Sequence, residues 1–308
     1  MEENKYDVII IGGGPAGLTA GIYLSRAKVK TLILDSGTIG GQVVLTHEIA
    51  NYPGIESISG YQLAKNMRKQ AKKFGCEIRS NIKITSLVLN TDIKEVTVND
   101  LEKYISDAVI LTTGGKSRPL NVPGEKEFAG KGISYCATCD GDFFQDKEII
   151  VVGGGNSALE EAVSLTQYAS KVTIVHQFDN FQAYPHAIDE AKKNPKINYI
   201  MESEIIEFFG DESLKKVKIE HQRTHEITEL NIDGVFIFIG YVPQTQMFEG
   251  LVDLNNRGEI VVDENLQTNI KGVFAAGDSI AKKYRQITTA VSDGTIAALN
   301  AIEFVNSL

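Results

Sequence analysis

A strand, a glycine-rich turn and a helix occur twice in this sequence, and this repeat restricts the fold more than any other feature. The two turns are GGGPAG at 12–17 and GGGNSA at 153–158. Each turn lies between short apolar runs, which are 8–11 and 31–34 in the first copy and 149–152 and 172–175 in the second, with helices that reach about Arg26 and Ala169. Both copies therefore predict a β-α-β unit with parallel strands.

The glycine spacing of the first copy suits a dinucleotide. Gly12 permits a tight turn, Gly14 lets the backbone approach a pyrophosphate, and Gly17 lets the helix pack closely on the strand. The phosphates would lie at the helix N-terminus. Asp35 ends the second apolar run, where a carboxylate accepts hydrogen bonds from ribose hydroxyls. The corresponding position of the second copy is His176, which is not a carboxylate.

The order of the apolar runs predicts two domains, one inserted into the other. Runs at 108–114 and 273–278 flank the second copy and resemble buried strands that end in small-residue turns. A chain of 308 residues also exceeds a comfortable single core. We predict an α/β fold with two dinucleotide-binding, Rossmann-like, three-layer domains. The predicted first domain is residues 1–116 and 245–308, and the second, which carries the cysteine pair described below, is 117–244.

Composition and charge exclude several classes of function. The net charge of −9 argues against nucleic-acid binding, which needs a clustered basic surface. No apolar run approaches the roughly 20 residues that span a bilayer, and the acidic amino terminus is unlike a signal peptide. We therefore expect a cytoplasmic protein without membrane contact. We expect no metal site either, because only three cysteines are present and a zinc site needs further ligands at matching spacing.

Two of the cysteines form a C-x-x-C pair, Cys136 and Cys139, just before the second glycine turn. Such a pair can hold an exchangeable disulfide, and one of its thiols often has a depressed pKa. Asp140, directly beside Cys139, can move the proton that thiol–disulfide exchange needs. From these residues alone, two buried thiols or half of a metal site remain alternatives.

The run CATCDG at 136–141, together with the two glycine turns, resembles the bacterial low-molecular-weight thioredoxin reductases. The resemblance extends to GGQ at 40–42, NYPG at 51–54, TTGG at 112–115, VFAAGD at 273–278 and YRQ at 284–286. It implies FAD as cofactor, thioredoxin as partner and a homodimer. The residues it assigns to FAD are Gly12, Gly14, Pro15, Ala16, Gly17, Asp35, Gly41, Gln42, Asn51, Thr113, Gly114, Asp278, Arg285, Gln286 and Ile287.

The resemblance also implies the catalytic roles. Electrons from the reduced flavin would pass to a Cys136–Cys139 disulfide, with Cys139 nearer the flavin and Cys136 exchanging with the substrate disulfide. Asp140 would be the acid and base. A flavin-bearing redox sensor without rapid turnover would share all of these motifs and remains an alternative of another class.

One segment departs from the family pattern. Typical members carry His-Arg-Arg-x-x-x-Arg after the second β-α-β unit, and these arginines hold the 2′-phosphate of NADPH. Here 176–182 reads HQFDNFQ, with no Lys or Arg between His176 and Ala191. NADH remains open if a turn brings Asp179 to the ribose. The pattern is similar to the ferredoxin-dependent flavin thioredoxin reductases, and we predict reduced ferredoxin as donor, with NADPH or NADH as the alternative.

The net charge bears on this prediction. Ferredoxins are usually acidic, so a chain with a charge of −9 would repel one unless it carried a local basic patch.

Overall fold

Strands and helices alternate along the chain, as the apolar runs predict. The computed structural model describes residues 4–46 and 49–308. The strands are β1 Lys5–Ile11, β2 Thr31–Leu34, β3 Glu77–Arg79, β4 Ile84–Val88, β5 Lys94–Val98, β6 Glu102–Leu111, β7 Gly115–Ser117, β8 Ile133–Ser134, β9 Glu148–Val152, β10 Lys171–Val175, β11 Ile197–Ile200, β12 Ser203–Gly210, β13 Leu214–His221, β14 Ile227–Asn231, β15 Gly234–Ile237, β16 Tyr241–Pro243 and β17 Val273–Ala275. The helices are α1 Pro15–Arg26, α2 Gly60–Lys73, α3 Glu125–Phe128, α4 Ala137–Asp140, α5 Asn156–Leu165, α6 Pro185–Lys193 and α7 Ile287–Asn306.

The chain divides into two units. The first is Met1–Lys116 with Val242–Leu308, and the second is Ser117–Tyr241. The second boundary lies between Tyr241 and Val242, three residues before the predicted residue 245. Gln244 belongs to the first unit, where its N–H donates to the Gly114 oxygen at 2.9 Å and its oxygen accepts from the Thr113 hydroxyl at 2.6 Å.

The first unit is built on a mixed sheet in the order β3-β2-β1-β6-β5-β4, with β17 also beside β6. Strands β3, β2, β1, β6 and β17 are parallel, whereas β4, β5 and the first half of β6 form an antiparallel meander. The ten-residue β6 serves both parts, because its first half pairs with β5 and its second half with β17. The parallel part confirms the Rossmann-like fold predicted from the first copy of the repeat.

Helices α1 and α7 pack against each other at very close range. Gly294 of α7 lies against the backbone of Ala16, and a Cβ added to Gly294 would be 2.2 Å from the Ala16 oxygen. Ala16 belongs to the glycine turn itself, so this contact fixes the turn against the last helix of the chain. The same face of α7 buries Ala290, Ala297, Ala298 and Ala301.

The second unit has three layers around an all-parallel sheet in the order β11-β10-β9-β15-β8. The side chains of strand β9 show that both faces of this sheet are covered. Its alternate side chains Ile149 and Val151 lie in a core with α5 and α6, while Ile150 and Val152 lie in a separate core with the antiparallel meander β12-β13-β14. Because successive side chains of a strand point to opposite faces, a continuous apolar run buries both faces of the sheet.

Helix α5 is shorter than the sequence predicts. It ends at Leu165, before the expected Ala169, and the next residues form a turn in which the Thr166 hydroxyl donates to the Val163 oxygen at 2.6 Å. A threonine hydroxyl that bonds to a preceding carbonyl competes with the helical hydrogen bonds. Within residues 4–46 and 49–308, no helix is both long and apolar enough to cross a membrane.

Gly294→Ala should destabilise the first unit. Alanine normally favours a helix over glycine by about 1 kcal/mol, but here its Cβ would collide with the Ala16 backbone, and such overpacking costs about 1–3 kcal/mol. We expect a lower free energy of unfolding by urea denaturation. Ser292→Ala, at an exposed position of the same helix, is the control. A Gly294→Ala protein as stable as this control would show that the α1–α7 contact can relax.

Candidate functional site

Four of the predicted FAD segments lie at one edge of the first sheet. Gly12, Asp35, Thr112 and Ala276 directly follow the carboxyl ends of β1, β2, β6 and β17. These four strands are parallel and adjacent in the order β2-β1-β6-β17, so their ends meet at the same edge. Ligands of open α/β sheets bind in the crevice outside such an edge.

The first glycine turn fits a pyrophosphate. Gly12 has a positive φ of 108°, a conformation that a side chain disfavours. Gly14 is the N-cap of α1 and provides no side-chain cap, and a Cβ added there would meet no atom within 4 Å. The first N–H groups of α1 therefore face open space at the positive end of the helix dipole, which favours an anion. Pro15 at the first helical position has no N–H to satisfy.

Asp35 fixes the same turn from the neighbouring strand. Its Oδ2 accepts a hydrogen bond from the Gly13 N–H at 2.5 Å, and its Oδ1 accepts one from the Gly37 N–H at 2.7 Å. A carboxylate oxygen has lone pairs for a second donor, so ribose hydroxyls can still bind. Asp35 thus shapes the loop as well as offering the predicted ribose contact.

Other predicted FAD residues surround this turn or lie farther out. Gly41 begins a single 3₁₀ turn that ends at Leu45, and a Cβ on Gly41 would lie 3.2 Å from the Gly14 Cα, so the structure brings these two glycines together. Gln42 and Asn51 are exposed. Thr113 and Gly114 bond to Gln244, as described above. The structure thus places Gly41 against the turn, while Gln42 and Asn51 present their side chains to solvent.

Asp278 lies in a network of partly buried charges after β17. Lys282 Nζ is 3.5 Å from Asp278 Oδ1 and 2.6 Å from Asp293 Oδ2. Burial raises the pKa of Asp278, while Lys282 and Arg285 oppose that rise. The Arg285 guanidinium contacts the carboxylate of buried Glu259. This network holds Asp278 and Arg285, both predicted FAD residues, at defined positions.

Helix α7 begins at Ile287, directly after Arg285 and Gln286 and next to the charged network around Asp278. Gln286 is its N-cap, and its side chain accepts from the backbone of Thr289 while the Thr289 hydroxyl accepts from the Gln286 N–H at 3.1 Å. This capping box starts the helix at Ile287, which is half-buried. Gln286 therefore has a structural role in addition to the predicted FAD contact.

The C-x-x-C pair forms a disulfide in the second unit. Cys136 and Cys139 are joined, with Cα atoms 5.3 Å apart, and both residues are half-buried. They follow β8, an edge strand of the parallel sheet, and the second glycine turn follows β9 in the same sheet. The disulfide and that turn therefore lie at the same edge of the sheet. The third cysteine, Cys76, is buried in the first unit, and burial raises its pKa to about 12.

Asp140 is connected to Cys136 through a serine. The Ser134 hydroxyl donates to Asp140 Oδ2 at 2.6 Å and accepts from the Cys136 N–H at 3.1 Å. The Asp140 N–H in turn donates to the Cys136 oxygen at 3.2 Å. Burial raises the pKa of the Asp140 carboxyl, nearby Asp142 raises it further, and the Ser134 hydrogen bond partly offsets the rise. A carboxyl with a raised pKa beside a disulfide is suited to proton transfer.

A second carboxylate holds the residue before the disulfide. Glu125 is buried and accepts from the Tyr135 hydroxyl at 2.7 Å, from the Leu120 N–H at 3.0 Å and from the Asn121 N–H at 2.6 Å. Burial raises the pKa of Tyr135, and Glu125 raises it further, so the tyrosine stays protonated as a donor. Glu125 thereby anchors the chain at Tyr135, next to Cys136.

The second glycine turn is covered on one side by the segment that replaces the arginine motif. The His176 ring lies against Gly154, where an added Cβ would be 2.3 Å from its Cε1. Gln182 donates from its N–H to the Gly154 oxygen at 2.8 Å. His176 is buried, stacks on Phe181 with ring centroids 5.6 Å apart, and has a pKa lowered by burial. His176 is thus a neutral core residue of this segment.

Asp179, within the segment that replaces the arginine motif, lies in an exposed ion-pair cluster. Arg223, in the turn between β13 and β14, places its guanidinium 3.6 Å from Asp179 Oδ2 and also contacts the Glu202 carboxylate. Arg223 is a cation near the segment 176–182, although no Lys or Arg occurs in that segment itself.

Four of these residues were not identified from the sequence: Ser134, Glu125, Glu259 and Arg223. Ser134 gave a weak signal, since a hydroxyl two residues before Cys136 is within reach of the C-x-x-C turn. The other three act on residues up to 44 positions away, as Arg223 does on Asp179, and only the fold brings them together.

Asp140→Asn should raise the stability of the disulfide-bonded protein at neutral pH. The folded pKa of Asp140 is raised, so its favourable contribution is complete below the unfolded pKa and is lost as the pH rises through the folded pKa. Asparagine keeps an oxygen for the Ser134 hydroxyl and carries no charge. Urea unfolding should be measured from below the unfolded pKa of Asp140 to above its folded pKa. The gain in stability of Asp140→Asn over the unmodified protein should grow with pH. Asp189→Asn on the exposed face of α6 is the control. A difference independent of pH would contradict the assignment.

Comparison with known proteins agrees with these motifs. The model of the pyridine nucleotide-disulphide oxidoreductase family matches residues 6–294. A 34.2 kDa protein in the rubredoxin operon of Clostridium pasteurianum is 47% identical over 99% of this chain and 98% of its own, and a thioredoxin reductase of Peptoclostridium acidaminophilum is 45% identical over the same shares. The crystal structure of a Streptococcus pyogenes thioredoxin reductase superposes with a TM-score of 0.95 at 41% identity, covering 99% of both chains.

These matches cover nearly the whole chain and include its cofactor segments. Members of the family are FAD-binding flavoproteins, and FAD is the cofactor of this chain, as the motifs predict. The chain belongs to the pyridine nucleotide-disulphide oxidoreductases and, among them, to the low-molecular-weight thioredoxin reductase family.

Proposed function

We propose that this enzyme reduces thioredoxin through Cys136 and Cys139 and receives its electrons from reduced ferredoxin. The observation that carries the disulfide chemistry is the Cys136–Cys139 bond beside the buried carboxyl of Asp140. Relatives named thioredoxin reductase support thioredoxin as the substrate. The proposal includes a homodimer in the cytoplasm, which the family resemblance supports.

The proposed exchange conserves electrons and protons. Two electrons and two protons convert the Cys136–Cys139 disulfide into two thiols. The Cys136 thiolate attacks a sulfur of the substrate disulfide, which forms a mixed disulfide and releases one substrate thiolate. The Cys139 thiolate then attacks the Cys136 sulfur, releases the second substrate thiolate and restores the enzyme disulfide. The released thiolates take up the two protons.

Asp140 and its neighbours serve this exchange. The Asp140 carboxyl gives and accepts protons next to Cys139, and its raised pKa keeps a larger protonated fraction than a solvated aspartate would have. Ser134 links this carboxyl to the Cys136 backbone, and Glu125 holds Tyr135. FAD, when bound, supplies the two electrons and can accept them singly or as a pair.

The donor is proposed from the segment 176–182. A 2′-phosphate needs arginine or lysine partners, and this segment offers none. Asp179 brings a negative charge, and the cation beside it, Arg223, is paired with Asp179 and Glu202. His176 is held neutral by burial and cannot replace the missing charge. These features disfavour NADPH and support a donor that binds elsewhere.

A pyridine nucleotide remains the second candidate because one part of its site is intact. Helix α5 begins after Gly155 without a side-chain cap, as α1 does after Gly14. Such an N-terminus can still bind the pyrophosphate that NADPH and NADH share.

Replacing either cysteine with serine should abolish thioredoxin reduction. The remaining thiol cannot close the intramolecular disulfide that releases the second substrate thiol. FAD content should be unchanged, because the two cysteines lie in the second unit and the predicted FAD residues in the first. Cys76→Ser, which removes the buried third cysteine, is the control and should keep its activity. Rapid turnover by either Cys136→Ser or Cys139→Ser would refute the role of the pair.

Ferredoxin should sustain faster thioredoxin reduction than NADPH at physiological donor concentrations. Gln177→Arg, Phe178→Arg and Gln182→Arg together should raise the NADPH affinity, because all three side chains are exposed and each charge-assisted contact contributes about 1.5–3 kcal/mol. NADH, which lacks the 2′-phosphate, is the matched control and should gain little. Micromolar saturation of the unmodified enzyme by NADPH would show that another surface reads the phosphate.

A further inference from the structure

Helix α2 carries a basic face. Its 14 residues include five cations and no Asp or Glu. The four lysines project from the side of the helix opposite its buried residues, which include Leu63, Met67 and Ala71, and Arg68 lies at the flank of that side. The cations, here called the basic face, are Lys65, Arg68, Lys69, Lys72 and Lys73; the four lysines are exposed and Arg68 is half-buried. In a chain with a net charge of −9, this concentration of one sign is unusual.

These charges do not stabilise the helix through one another. Lys65 and Lys69, Lys69 and Lys73, and Arg68 and Lys72 are like charges four residues apart, an arrangement that destabilises a helix. Among the described residues, no ion pair involves any member of the basic face. A face selected only for solubility would mix the two signs, as α6 does with Asp189, Glu190, Lys192 and Lys193.

The positive surface continues beyond α2. The Arg26 guanidinium lies over the Phe74 ring, 5.5 Å from its centroid, directly after the last lysine of α2. Lys28 is exposed in the turn that follows α1, and α1 packs on α2. The patch therefore covers one helix and the adjoining end of another.

The opposite face of α2 packs on a predicted FAD segment. A Cβ on Gly40 would be 2.6 Å from the Ala64 Cβ, and the Gly60 N–H donates to the Thr46 oxygen at 3.0 Å. The segment between them contains Gly41 and Gln42, which the family motifs assign to FAD. A partner bound to the basic face is thus separated from this segment by a single helix, about 10 Å thick.

We propose that the basic face of α2 docks an acidic iron–sulfur electron carrier of the ferredoxin class. The proposal rests on the donor assignment made above and adds the surface. A basic patch on an acidic protein would steer an acidic carrier to this side of the molecule and raise its association rate. Each of two carriers would lose one electron, and the two electrons with two protons from solvent reduce the enzyme disulfide to two thiols.

The test compares two double charge reversals. Lys72→Glu with Lys73→Glu changes the last turn of α2, and Lys192→Glu with Lys193→Glu changes the last turn of α6. Because both pairs place negative charges at a helix C-terminus, the unfavourable interaction with the helix dipole is similar in the two variants. Stopped-flow measurement of flavin reduction by a reduced bacterial ferredoxin, over a range of ionic strength, gives the second-order rate constant. Photoreduction with deazaflavin, which needs no docking, followed by thioredoxin reduction, reports whether the rest of the cycle is intact.

We expect the α2 variant to lose about 10-fold or more of the ferredoxin rate at low salt and most of its salt dependence. The α6 variant should match the unmodified enzyme, and both should reduce thioredoxin normally after photoreduction. Equal rates for the α2 and α6 variants would overturn the docking site and leave the donor assignment standing. Failure of ferredoxin to reduce the unmodified flavin at any salt would overturn both. Loss of binding to anionic vesicles or RNA, with the ferredoxin rate unchanged, would assign the face to another partner.

Discussion

The parallel register of the two sheets is the constraint on which the candidate sites depend. Parallel strands end at the same edge, so turns that are far apart in sequence are collected there whenever their strands pair. Pairing of β17 with β6 brings the segment of Asp278 to the edge that already holds Gly12 and Asp35. Pairing of β8 with β15 does the same for the disulfide and the second glycine turn. The apolar runs drive this pairing, because buried Ile and Val side chains contribute about 1.5–3 kcal/mol each.

Charged groups near these edges are held by partners that reduce the cost of burying them. Glu125 accepts three hydrogen bonds, and Glu259 is paired with Arg285. Asp140 differs, since the single hydroxyl of Ser134 offsets only part of its desolvation and its pKa stays raised. The hydrogen bonds of Glu125 position Tyr135, whereas Asp140, with its raised pKa, is suited to proton transfer. Both of these carboxyl groups lie in the second unit.

Much of the fold could be predicted because the signals are local. The glycine turns and the apolar runs of β1, β2, β9 and β10 all depend on neighbouring residues, and the structure has them where the sequence indicates. Helix α5 was predicted too long because a threonine hydroxyl ended it. The partners of Asp140, Tyr135 and Arg285, which are Ser134, Glu125 and Glu259, were not identified from the sequence, since hydrogen-bond partners depend on how the chain folds back on itself.

The sequence by itself determined the family, the α/β fold, FAD and the cysteine pair, because these follow from motifs with fixed spacing. The tertiary structure alone decided which charges meet. It joined Arg223 to Asp179 and Arg285 to Glu259, and it turned the four lysines of α2 to one exposed side. Net charge averages over the whole surface, whereas an electrostatic field depends on where each charge lies. For that reason a chain with a net charge of −9 can still present a positive face.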